Sequence, residues 1–227
     1  MTTDNIRQKV VRLDRLLLDR YGRQGWWPTT RRKGEPPVYR PGEEGRTVSD
    51  PEAFEIMVGA ILTQNTAWTN VEKAMVSLTG ADLLDIGVIA RCDGRLEEAI
   101  RPSGYFNQKA ARLRGIAKQI HHAGGIRALR DCPTALLRDR LLSWKGVGPE
   151  TADSVLCYAF ARPVFVADRY TGRLFERLGL PSGSYDVIQS LVHQAIAPSA
   201  AAYGDFHARI VTLFKNRDLE PVAEALV

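Results

Sequence analysis

Two short runs in this 227-residue chain carry residue types that could do chemistry. The first is Gly146-Val147-Gly148, set between two helix-forming stretches. Paired glycines permit a tight hairpin with bare backbone N–H groups turned outward, and such a nest at a helix start suits a phosphate. An ordinary turn between helices would use the same residues, so both readings stand on spacing alone. Lys145 abuts the glycines, and the stretch 101–145 holds ten basic residues against two acidic ones. The second run ends on Asp168, just before a helix-forming stretch over 169–179. A carboxylate there stays ionised, favoured by the helix dipole and the leading N–H groups. It serves either as a helix cap alone or as an anion set against developing positive charge. Trp26, Trp27 and Trp68 offer aromatic faces for stacking, although large aromatics also build cores. No grouping of His, Cys, Asp and Glu has metal-ligand spacing, so no metal is expected.

The elements that must hold these residues read as helices. Val11, Leu13 and Leu16–Leu18 suggest a first helix ending near Tyr21-Gly22. Residues 29–48 are rich in Pro, Gly and charge, the composition of an exposed connection. Asp50-Pro51-Glu52 reads as an N-cap followed by a first-turn proline, leading into Phe54, Met57, Val58 and Ile61 at helical spacing. Further helices are expected over 69–78, about 95–101, 107–122, 134–143, 150–161, 169–179, 186–196 and 203–215, with Gly124-Gly125 ending the one at 107–122. The run PVFVAD at 163–168 is β-like but too isolated to found a sheet. The expected class is all-α, about ten helices, without internal repeats.

Composition narrows the partners. The formal charge is +5, distributed as +5 over 1–48, −6 over 49–100, +8 over 101–145 and −2 over 146–227. The basic block therefore runs directly into the glycine hairpin, as expected for a polyanion-binding face. Cys92, Cys132 and Cys157 have no CxxC or CxxH spacing and are odd in number, which favours a reduced, cytoplasmic protein. No apolar run approaches the ~20 residues of a membrane span. The N-terminus places charges where a signal peptide is apolar.

The stretch 141–173, LLSWKGVGPETADSVLCYAFARPVFVADRYTGR, resembles the helix-hairpin-helix plus Gly/Pro…Asp signature of the endonuclease III superfamily of DNA glycosylases. MVGAILTQNTAWTNVEKA at 57–74 and RPSGYFNQKA at 101–110 resemble two further segments of that family, so that the likeness covers most of 50–180. Trp26-Trp27-Pro28, Thr63–Thr66, Arg101–Ala110, Lys145–Asp153 and Phe206-His207 are similar in particular to the endonuclease III-like 3-methyladenine DNA glycosylases. Two departures from the superfamily stand out. The lysine nucleophile of the strand-cutting members is replaced by Glu150, which cannot form a Schiff base. No Cys follows Cys157, which excludes the family's four-cysteine iron–sulfur cluster.

This resemblance implies a two-lobed all-α fold with its active site in the interlobe cleft. One lobe is expected over 48–162, ending in the hairpin, and the second from 1–47 and 163–227, with 29–47 as a loop. It assigns Asp168, 18 positions after Glu150, as the catalytic carboxylate that stabilises an oxocarbenium ion and activates water. Trp26, Trp27, Pro28, Trp68 and Glu150 are implied as the base pocket, and Gln64, Lys145, Gly146, Val147 and Gly148 as DNA contacts. His207 is a lesser candidate near the pocket. The implied activity is that of a monofunctional glycosylase acting as a monomer on double-stranded DNA with damaged bases, 3-methyladenine foremost, without cofactor. Two alternatives stay open: a glycosylase for a mismatched or oxidised base, and a non-catalytic DNA-binding module.

Overall fold

A computed structural model describes residues 2–226. Thirteen α-helices occupy the described residues, joined by a 3-10 turn at Arg101–Ser103 and a π turn at Val155–Ala159. The only β pairing among them is a single bridge between Thr29 and Val38. The chain divides into two units, Trp27–Tyr39 with Thr47–Phe160, and Met1–Trp26 with Arg40–Arg46 and Ala161–Val227.

The first of these units carries α2 (Asp50–Leu62), α3 (Trp68–Gly80), α4 (Ile86–Arg91), α5 (Arg95–Ala99), α6 (Phe106–His122), α7 (Gly125–Asp131), α8 (Thr134–Leu142) and α9 (Pro149–Ser154). Every residue of α2 from Ala53 to Leu62 is buried, so this helix is the unit's axis rather than a one-faced surface helix. Its cap is Ser49, not Asp50 as the sequence pattern suggests. The Ser49 hydroxyl accepts from the Glu52 N–H while the Glu52 carboxylate accepts from the Ser49 N–H, a reciprocal pair that outcompetes a lone aspartate. The helix expected over 150–161 is also shorter than its pattern: α9 ends at Ser154 and passes into the π turn.

Residues 27–39 group with this unit rather than with the chain termini. The reason is buried Glu55 on α2, whose Oε1 accepts from both the backbone N–H and the hydroxyl of Thr30 at 2.7 Å. Thr29 adds a bond to Glu52 at 3.1 Å. Polar composition thus marks a segment without helix, yet its first part is fastened by an interior carboxylate.

The second unit holds α1 (Thr3–Tyr21), α10 (Arg169–Arg177), α11 (Tyr185–Ala195), α12 (Ala200–Lys215) and α13 (Leu219–Ala225). Val10, Leu13 and Leu17 form the buried face of α1, which packs on α11 and α12. Buried Arg209 on α12 ties this packing together through Asp14 at 2.9 Å and Asp205 at 3.3 Å. The β-like run 163–168 forms no strand. Side chains of α11 replace the missing strand: the Phe165 N–H donates to His193 at 3.0 Å, and Gln189 donates to the Phe165 carbonyl at 2.7 Å. The chain is thereby delivered in a fixed direction to Asp168.

Candidate active site

The glycine hairpin joins α8 to α9. Gly146 has φ +87°, a left-handed conformation that side chains rarely adopt, and a Cβ there would stand 2.6 Å from Cδ and Nε of Arg112. Arg112 therefore lies directly across the turn. It donates to Gln64 Oε1 at 2.5 Å, and the Gln64 amide donates in turn to the Gly146 carbonyl and to the Thr151 hydroxyl, both at 3.0 Å. Gln64 thus clamps the turn from the end of α2 and uses both ends of its amide to do so. Gly148 is the extended N-cap of α9, Pro149 follows in the first turn, and no side chain caps the helix. Lys145 and Glu150 are exposed on either side of the turn, whereas the Val147 side chain is buried and anchors it. Arg138 completes the support with paired bonds at 2.7 and 3.1 Å to Asp153, whose side chain is fully buried on α9.

Half of the basic block proves to be spent inside the unit. Lys109 donates to the carbonyls of Leu62 and Ser103, both at 2.7 Å. Arg112 serves Gln64, Arg114 reaches Glu97 and the Cys92 carbonyl, Arg130 reaches Asp50 and the Val48 carbonyl, and Arg138 holds Asp153. Arg101, Lys118, Arg127, Arg140 and Lys145 are the exposed members. The expectation that the whole +8 faces a polyanion is corrected accordingly. Neutralising Arg140 or Lys145 is expected to lower the salt slope of duplex binding by up to about 0.9 per lost phosphate contact. Neutralising Arg114 or Arg130 should leave the slope unchanged, which filter binding across a salt series would read.

The tryptophan pair is split. Trp27 meets Trp68 edge to face at 5.4 Å between centroids and Tyr158 at 5.4 Å, forming an aromatic cluster in the α2–α9 unit. Gly59 on α2 lets Trp27 settle against the helix backbone, since a Cβ there would come within 3.1 Å of the indole. Trp68 opens α3, and its indole N–H donates to Glu72 one turn later at 2.8 Å. Pro28 is buried beside this cluster in sequence. Trp26 belongs to the other unit, where the Lys215 ammonium stands 5.2 Å from its ring centroid. The sequence groups Trp26, Trp27 and Pro28 as one feature; the fold gives the two indoles different neighbours. Tyr158 and Glu72 carry no sequence signal of their own beyond their helical spacing from Ser154 and Trp68.

Asp168 caps α10. Its Oδ1 accepts from the Thr171 N–H and the Thr171 hydroxyl, each at 2.8 Å, while Oδ2 lies 3.6 Å from His207 Nε2 on α12. The residue is 9% exposed. Burial by itself pushes its carboxyl up, but His207 together with the two Thr171 donors outweighs burial and holds the group below the usual carboxylate range. The carboxylate is therefore an anion throughout the neutral range, kept in one orientation by a cap bond on one oxygen and a histidine beside the other. Phe206-His207, quoted above for its family likeness, is the signal for that partner; Thr171 follows from the capping geometry alone.

Cys157 lies in the π turn, where burial and then the charge of Asp153 push its thiol up to about 12. It is no nucleophile at neutral pH. Among the described residues no group of three or more His, Cys, Asp or Glu side chains could hold a metal ion, and no helix is long and apolar enough to cross a membrane.

An all-helical chain with a glycine hairpin braced from two other helices, and with an ionised aspartate opening a separate helix, defines a helix-hairpin-helix protein. The chain belongs to the HhH-GPD superfamily of base excision DNA repair proteins, whose model matches residues 58–198. It is a DNA glycosylase of that superfamily. A Methanocaldococcus jannaschii protein designated a DNA repair glycosylase is 39% identical over 214 residues, covering 92% of this chain and 88% of that protein. Endonuclease III of Thermotoga maritima is 29% identical over 134 residues, 59% of this chain and 60% of that enzyme. Among solved structures, the H. pylori 3-methyladenine DNA glycosylase bound to 1,N6-ethenoadenine superposes with a TM-score of 0.72 at 27% identity, covering 96% of this chain and 99% of that one. An endonuclease III–DNA covalent intermediate gives 0.67 at 18% identity over 94% and 86% of the two chains, a likeness of fold.

Proposed function

We propose that the protein is a monofunctional glycosylase that turns an alkylated purine, 3-methyladenine foremost, out of duplex DNA and hydrolyses its N-glycosidic bond. The observation that carries this reading is Asp168, an oriented and ionised carboxylate at a helix start. Such an anion stabilises the positive charge that grows on the sugar as the C1′–N9 bond breaks. It also accepts a proton from the water that bonds to C1′, while the departing base keeps the electron pair of the broken bond. His207 and Thr171 hold the carboxylate in place for both tasks.

An N3-methylated adenine is cationic in DNA, which makes it a good leaving group and leaves little acid catalysis to supply. Its charge also suits an aromatic face, an attraction worth about 0.5–2 kcal/mol. Trp27 and Trp68 are the faces we assign to it, with Pro28 and Glu150 at the edges of the pocket. Extrusion of the base costs unstacking energy that these rings repay in part. The hairpin from Lys145 to Gly148 takes the phosphate backbone, and Gln64, once released from the turn, fills the gap in the stack. Glu150 stands where strand-cutting relatives carry lysine, so no covalent sugar–enzyme intermediate forms.

Borohydride trapping on an abasic duplex tests this last point. The expected result is no covalent adduct and an uncut strand until alkali is added. An adduct formed by the wild-type protein would establish an amine nucleophile and overturn the monofunctional reading.

A further inference from the structure

The aromatic cluster has one acidic member that the reaction described so far does not use. Glu72 sits one turn after Trp68 on α3, and its Oε1 accepts the Trp68 indole N–H at 2.8 Å. The same oxygen receives the Tyr39 hydroxyl at 3.4 Å. Burial, and after it the charge of Glu72, raises the Tyr39 hydroxyl well above its ordinary range. Two rings of different segments therefore converge on one carboxylate. Trp68 is 8% exposed, so its plane is held by packing against Trp27 and by the bond to Glu72.

A carboxylate that accepts an indole N–H adds negative potential to a ring whose face is already negative. Its field also reaches a charged group stacked on that ring, since at a few ångströms and an effective dielectric near 20 an ion pair still interacts appreciably. We infer that Glu72 is a specificity residue: by bonding the Trp68 indole it tunes the aromatic cluster toward positively charged bases over neutral bases of the same shape. This rests on the reading of Trp27 and Trp68 as the base pocket.

Glu72→Gln tests it, because the glutamine carbonyl still accepts the indole N–H while the charge is gone. Two quantities are measured on wild type and variant: single-turnover release of 3-methyladenine from methylated DNA, and affinity for a duplex carrying 3-deaza-3-methyladenine, a neutral isostere. The expected result is a fall in release of about three- to tenfold, the scale of a weakened cation–π contact, with isostere affinity unchanged within about twofold. Glu72→Leu, which also detaches the indole, should lower both. Equal losses in the Gln variant would reduce Glu72 to a structural support, and no loss in either quantity would remove it from recognition; each result overturns the inference. Absence of any 3-methyladenine release by the wild type is a separate outcome: it strikes the alkylated-base reading itself, and the inference falls with it.

Discussion

Asp168→Asn is expected to reduce base release at least a hundredfold, on the scale of losing one preorganised electrostatic group in an active site, while duplex binding and folding persist. The separation is possible because asparagine is as good an N-cap as aspartate. Its amide oxygen can keep the two bonds from Thr171 that Asp168 Oδ1 now accepts at 2.8 Å. What disappears is the negative charge of the carboxylate, to which we assign stabilisation of the sugar cation and acceptance of the water proton. The wild-type carboxyl is held below its ordinary value of 3.8, so its charge stabilises the fold above that pH. That contribution is lost as pH falls through the lowered value. The variant lacks this contribution and should show a weaker dependence of stability on pH at the acid end. Single-turnover kinetics, with gel-shift affinity and urea denaturation on the same preparations, check all three statements. Retention of full activity in Asp168→Asn would leave only the capping role.

Lys109→Met is expected to carry the largest cost in stability, about 2–4 kcal/mol, because it strands two buried carbonyls. Lys109 is 1% exposed, and its ammonium bonds the carbonyl of Leu62, the last residue of α2, and that of Ser103. Helix-end carbonyls need partners from outside the helix, and here a lysine from α6 supplies them. The end of α2 leads within two residues to Gln64, so the variant should also weaken the clamp on the hairpin and with it duplex binding. The pH dependence runs opposite to that of Asp168. Burial, then the nearby charge of Arg112, pulls Lys109 down to about 8 from its ordinary 10.5. The unfolded chain therefore binds more protons between those values, and folding gains stability as pH rises through the window. Wild type should gain about 1–2 kcal/mol on Lys109→Met between pH 7.5 and 9.5. Urea titrations at the two pH values read this difference, and a constant gap would place the Lys109 amine outside the buried position described.

The longer helices were legible because their apolar spacing is long enough to be unambiguous: α6 runs from Phe106 to His122, as its Leu113, Ile116, Ala117 and Ile120 suggest. Helices α4, α7 and α13, of six, seven and seven residues, escape the pattern because two turns hold too few apolar positions to establish a period. The hairpin, Asp168 and its histidine were legible as motifs. Which basic residues point inward was not, since Lys109 and Arg138 are satisfied by Leu62 and Asp153, and nothing in a charge count records that. The division of Trp26 from Trp27 is hidden for the same reason: one peptide bond separates side chains whose partners, Lys215 and Trp68, lie far apart in sequence. Glu55 and Glu72 show the general rule. An acidic residue on a helix reads as solvated until the segment that donates to it is known.

The central claim, hydrolytic removal of an alkylated purine, is tested most directly by chromatography of the bases freed when the wild-type protein acts on N-methylated duplex DNA. The account predicts free 3-methyladenine, with abasic strands that break only on later alkali treatment. Release confined to an oxidised or mismatched base, or no release at all from DNA that the protein binds, would contradict it.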